Sequence, residues 1–181
     1  MVAAGIETRS AVAELRAAGR KLEGYAAVFG QEARIGTFDE TIRQGAFTGT
    51  LADGLDKLGL VDHDPTRLLA RTSAGTLRLS QDSRGLAFEM DLPATSLGND
   101  IRALAESRNL GGMSFAFTIA PGGDSWIGDK RTSTSLALHE ISVVQAFPAY
   151  SGTSVSARAR QFGSTSPVVR RRVLAMMGGH I

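Results

Sequence analysis

Residues 76–92, TLRLSQDSRGLAFEMDL, carry the plainest structural signal in the chain. Leu77 and Leu79 alternate with polar neighbours, and Leu86, Phe88, Met90 and Leu92 share one side of a second alternating run. Alternation with period two marks a half-buried strand, because successive side chains leave opposite faces of the backbone. The intervening QDSRG has turn chemistry and ends on Gly85, so the segment predicts a β-hairpin.

Working outward, the same pattern returns. MSFAFTI (113–119) places Phe115, Phe117 and Ile119 on one face and Ser114, Ala116 and Thr118 on the other. Residues 136–144 predict another strand, and LEGYAAVF (22–29), closed by Gly30, a further one. A helix is expected after Ser96, with Ile101, Leu104 and Ala105 at helical spacing, Ser96 or Asn99 as its cap, and Gly111-Gly112 beyond its end. FDETIRQGAF (38–47) fits a short helix stopped at Gly45, and 48–58 fits a continuation with Leu51, Leu55 and Leu58 on one face. PGGDSWIGDKR (121–131) reads as a loop. Three regions follow: an arm or short helix over 1–20, a main domain over 21–157, and a mobile or separately docked basic tail over 158–181. The expected fold class is mainly β with short helices (α+β), largely antiparallel, and most simply a closed or nearly closed barrel.

Composition narrows the chemistry. The 181 residues include no cysteine, which excludes a disulfide framework, a thiolate zinc site, an iron–sulfur cluster and a cysteine nucleophile. The net charge of +2 is unevenly spread: residues 151–181 hold five arginines and no acid, so residues 1–150 carry −3. The basic character belongs to the tail and gives no sign of specific nucleic-acid binding by the body. No apolar run approaches the roughly 18 residues of a membrane span. The N-terminus lacks the continuous apolar stretch of a signal peptide.

Three histidines, the carboxylates and the hydroxyls remain as chemical candidates. His180 lies one residue from the end and is set aside. His63 sits between Asp62 and Asp64 and before Pro65, at a strand end or in a tight loop. It is either a surface imidazole with charged neighbours or a general base supported by carboxylates. Metal binding by Asp62, His63 and Asp64 lacks a second HxH or HExxH spacing. Ser114 follows Gly111-Gly112 and opens an aromatic strand, as a local turn former or as a nucleophile. The Gly-x-Ser-x-Gly elbow is absent, because position 116 is Ala. His139 and Glu140 are strand neighbours that face opposite ways, so only one can complete a triad with His63. A carboxylate would do so more strongly, since it also stabilises an imidazolium.

Seven segments, GYAAVFG (24–30), FDETIRQGAF (38–47), LVDHDPTRLLART (60–72), GTLRL (75–79), RGLAFEMDLP (84–93), GGMSFAF (111–117) and LHEISVVQAFPAYSGT (138–153), stand in the order found in a known family. From Leu22 to Thr153 the chain resembles the tailed-phage prohead serine proteases, capsid-maturation proteases related in fold to the herpesvirus assemblins. The resemblance implies a serine endopeptidase on a small β-barrel surrounded by helices. It makes His63 the base and Ser114 the nucleophile. Glu140 is the chosen third member, and His139 is the alternative because the assemblin relatives use a second histidine. It further implies no metal or organic cofactor, and a major capsid protein precursor or scaffold protein as substrate. Self-processing and a homodimer also follow from it, as does a location inside the immature capsid, in the bacterial host cytoplasm. The Arg-rich tail is a targeting or self-cleaved segment, or a disordered solubilising one. The competing expectation is a non-catalytic β-barrel scaffold or assembly module, in which His63 and Ser114 would lie out of hydrogen-bond reach.

Overall fold

The computed structural model describes residues 5–11 and 15–146. The expected tail and the end of the last family-like segment lie outside the described residues. The chain begins with strands β1 (Glu7–Ala11), β2 (Arg16–Ala18), β3 (Lys21–Val28), β4 (Glu32–Ile35) and β5 (Phe38–Ile42). After the short helix α1 (Thr48–Ala52) come β6 (Leu58–Val61), β7 (Asp64–Arg71), β8 (Leu77–Gln81) and β9 (Gly85–Asp91). Helix α2 (Ser96–Glu106) precedes β10 (Gly112–Ile119), β11 (Asp124–Ile127), β12 (Lys130–Ser133) and β13 (Leu136–Val144).

These strands form three sheets, ordered β1-β10-β13-β6-β7, β2-β3-β9-β8 and β11-β12-β5-β4. The expected barrel is not there: none of the sheets closes on itself. Closure requires the two edge strands of a sheet to pair. Here the edges β1 and β7 instead pack on the second sheet, β1 against β3 and β7 against β8 and β9. Nor do helices surround the strands. Helix α1 packs on β13 and β8, and α2 on β2 and β7, so each bridges two sheets. Two pairings, β13 with β6 and β12 with β5, are parallel.

The predicted hairpin is present as β8–β9, with Leu77 opposite Met90 and Leu79 opposite Phe88. Leu22, Leu77, Leu86, Phe88 and Met90 of its sheet meet Val61, Phe115, Phe117, Leu138 and Ile141 of the first in one buried cluster. Burial of this apolar area is the main stabilising term. Helix α2 ends at Glu106 as expected, but its cap is Thr95, whose hydroxyl accepts from the Gly98 N–H at 3.3 Å.

Further local expectations fail. Residues 38–42 form β5, not a helix, because β4 and β12 flank them on both sides. The helix expected over 48–58 covers only Thr48–Ala52. The loop expected over 121–131 contains most of the β11–β12 hairpin, turned at Gly128 with φ +62°. Toward the N-terminus, residues 7–11 and 16–18 are strands, where an arm or short helix had been expected over 1–20.

A charge cluster ties β1 to the third sheet. The Arg9 guanidinium donates to both oxygens of Glu40, at 2.5 and 3.1 Å, and to Glu7 at 2.6 Å. Arg131 donates to both oxygens of Glu7, at 2.8 and 3.0 Å, and to Asp124 at 3.0 Å. Burial of Glu7 alone would raise its carboxyl pKa, but hydrogen bonds and charge from Arg131 and Arg9 hold it below the usual carboxylate range. A carboxyl with a depressed folded-state pKa contributes stability that is present above its unfolded-state value and lost as pH falls through the folded one. Glu7→Gln is therefore expected to flatten the acid limb of stability against pH. Thermal melts taken from neutral pH down through the carboxylate range check this, and an acid limb identical to that of the parent protein would count against it.

Candidate active site

The candidate side chains converge on one sheet, each presented by a local departure from regular strand geometry. His63 stands on the two-residue loop between β6 and β7, whose ends Val61 and Asp64 are paired. Asp62 and His63 have φ of +51° and +60°. Left-handed backbone at both loop positions is the type I′ signature, normally filled by Asn-Gly because a side chain there is strained. Such strain costs on the order of 1–3 kcal/mol per residue and persists only where the surroundings enforce it.

Here they do. The Asp62 N–H donates to the Val143 carbonyl at 2.9 Å. The Asp62 carboxylate accepts from the Gln145 N–H at 3.0 Å and from Arg67 at 3.1 Å. The His63 N–H donates to Ser142 Oγ at 3.0 Å.

Glu140 reaches the site through a β-bulge. On β13, Leu138 is opposite Phe117 and Glu140 is opposite Ala116, which leaves His139 as the extra residue. Strict alternation would put Leu136, Leu138, Glu140 and Ser142 on one face. Instead the core cluster takes Leu136 and Leu138 before the bulge and Ile141 and Val143 after it. The extra residue reverses the faces and frees Glu140 and Ser142 from the apolar side.

Ser114, fully buried, is the third residue of β10 and lies opposite Ser142 of β13. Its Oγ is 2.7 Å from His63 Nε2, and His63 Nδ1 is 2.5 Å from Glu140 Oε1. The other Glu140 oxygen accepts from Ser142 Oγ at 2.6 Å. With Nδ1–H donated to the carboxylate, Nε2 is left to accept the serine hydrogen. A hydroxyl, an imidazole and a carboxylate in this chain can move a proton off oxygen and hold the resulting positive charge.

His139 stands apart. It is exposed, and its Nε2 is 3.2 Å from Thr118 Oγ1. Asp62 is engaged as described, and Asp64 accepts from the N–H and hydroxyl of Thr66 at 2.8 and 2.6 Å. Among the described residues, no group of three or more His, Asp or Glu is arranged to hold a metal ion. His63 and Ser114, which a module without turnover would keep apart, are within hydrogen-bond reach.

Three residues of the cluster escaped the sequence. Ser142 is two residues beyond Glu140, so their shared strand face could have pointed to it. Nothing comparable pointed to β1, where the Arg9 carbonyl accepts from Ser114 Oγ at 2.7 Å and Ser10 Oγ donates to it at 2.9 Å.

Ser142 serves both the strained loop and the carboxylate. Ser142→Ala would leave the His63 N–H and one Glu140 oxygen without these partners, at an expected cost of about 1–3 kcal/mol. Chemical denaturation measures it, and an unchanged midpoint would show the hydroxyl to be dispensable.

Compared with known protein families, residues 6–167 match the caudovirus prohead serine protease family. No curated protein and no solved structure gives a match. The family match spans most of the chain, and the chain belongs to this family of phage prohead serine proteases.

Proposed function

From that membership, we propose that the chain is a serine endopeptidase that cleaves a scaffold protein or the major capsid protein precursor during prohead maturation. Ser114 is the nucleophile, His63 the general base and Glu140 the orienting carboxylate. One observation carries these roles: the unbroken contacts from Ser114 Oγ to His63 Nε2 at 2.7 Å and from His63 Nδ1 to Glu140 at 2.5 Å.

In this mechanism Ser114 Oγ forms a bond to the substrate carbonyl carbon as its hydrogen passes to Nε2. Glu140 keeps Nδ1 protonated and stabilises the imidazolium. The same hydrogen then goes to the leaving amine as the peptide C–N bond breaks, leaving an acyl-enzyme that water hydrolyses. The work takes place inside the immature capsid, in the host cytoplasm, with self-cleavage and dimerisation as further parts of the proposal.

Co-expression with a capsid precursor tests the nucleophile. Ser114→Ala is expected to lower precursor cleavage by roughly 10³-fold or more with thermal stability retained; cleavage at the parent rate would refute the assignment. For the third member, Glu140→Gln should lower the rate by about 10²–10⁴-fold. His139→Ala should stay near the parent rate. The reverse pattern would transfer the role to His139.

A further inference from the structure

The proposed nucleophile lies beneath a strand of its own chain. β1 runs antiparallel along β10, with Arg9 opposite Phe115 and Ser10 opposite Ser114. A hydroxyl has one hydrogen and two lone pairs. Around Ser114 Oγ, His63 Nε2 and the Arg9 carbonyl compete for the hydrogen at 2.7 Å each, and Ser10 donates to a lone pair at 2.9 Å. Ser114 is 0% exposed. One lone pair is unclaimed, but the enclosed side chain gives a peptide carbonyl no path to it.

One flank of β10 must open for substrate to enter. The flank against β13 cannot, because β13 carries Glu140 and lies between β10 and β6. The other flank holds β1, the edge strand of the sheet. An extended peptide recognised by a sheet adds itself as a new edge strand, with main-chain hydrogen bonds supplying much of the affinity.

We propose that β1 sits in the substrate's place: the edge of β10 from Met113 to Phe117 is the docking edge for an extended substrate peptide, and β1 is a latch that must leave it. This rests on the catalytic assignment of Ser114. The backbone carbonyl closest to the nucleophile is that of Arg9, where an incoming strand would offer its own. Arg9 also supplies the lock, since its guanidinium grips the buried Glu40 carboxylate and lies 5.2 Å from the Phe117 ring centroid. Charge-assisted, two-pronged contacts of this kind are strong and directional. Glu40 Oε1 keeps Ser133 and Arg131, each at 3.3 Å, when Arg9 is lost. Removing the lock takes the partner from Oε2 but leaves the carboxylate paired with a cation.

The rate at which a fluorophosphonate probe labels Ser114 measures how often the latch is open. Arg9→Ala in the full chain should label at least about tenfold faster than the parent protein. The converse test joins the strands. Thr8 and Ala116 lie opposite each other on β1 and β10. The chain has no cysteine, so Thr8→Cys with Ala116→Cys creates the only disulfide. Its oxidised form should label at least about tenfold more slowly than the same protein reduced. Thermal melts confirm that each form is folded. Labelling of the double variant that is indifferent to oxidation overturns the latch while leaving catalysis by Ser114 intact. Folded protein that never labels, in any form, removes the catalytic assignment and the latch with it.

Discussion

The pairing of β10 with β13 runs one residue out of step, and the candidate site rests on that slip. A strand sends successive side chains to opposite faces, so a carboxylate two residues beyond Leu138 would normally share its apolar side. An ionised carboxylate there would be severely penalised. The extra residue at His139 resolves the conflict: Ile141 and Val143 take over the core, and Glu140 and Ser142 turn toward His63. The adjacent histidine, as the bulged residue, is exposed. One irregularity thus selects between two neighbouring side chains that could each have served the imidazole.

The strained loop depends on the same slip. Asp62 and His63 hold a backbone conformation that glycine adopts far more readily. Their restraints come largely from the end of β13 and the residues just beyond it, through Ser142, Val143 and Gln145. Imidazole position and carboxylate position are therefore set by one strand. Beyond β10, the contacts of β1 complete the shell around Ser114 with groups from the chain itself. A shell so satisfied holds the side chains in register, and it also excludes any other ligand for the hydroxyl. Closure of the site and precision of the site have the same cause.

Legibility followed the range of the interactions. The β8–β9 hairpin, β10 and helix α2 were readable because each displays its own period or is closed by a local turn, and β3 and β13 because their apolar runs are long enough for strands even though each pairing contains an irregularity. β5 was not: five residues, FDETI, cannot separate a strand from a helical turn, and the partner that settles it is β12, some ninety residues later. The β11–β12 hairpin was hidden for a related reason, since four-residue strands around Gly128 look like the loop that joins them. The barrel expectation failed on edges. Alternation says that a strand has a buried face, but not which strands close a sheet, and here β1 and β7 pack on the neighbouring sheet without pairing to each other.

From the order of residues alone came the chemical inventory: a cysteine-free chain with His63 and Ser114 as candidates, and a choice between His139 and Glu140. Those identities are local, and motif and composition carry them. Folding alone decided that Glu140 meets the imidazole, that Ser142 joins it, and that Arg9 and Ser10 cover the serine. Each of these depends on the register between strands distant in the chain. Because side chains alternate along a strand, a shift of one residue exchanges the two faces, and no pattern within a single segment records that shift.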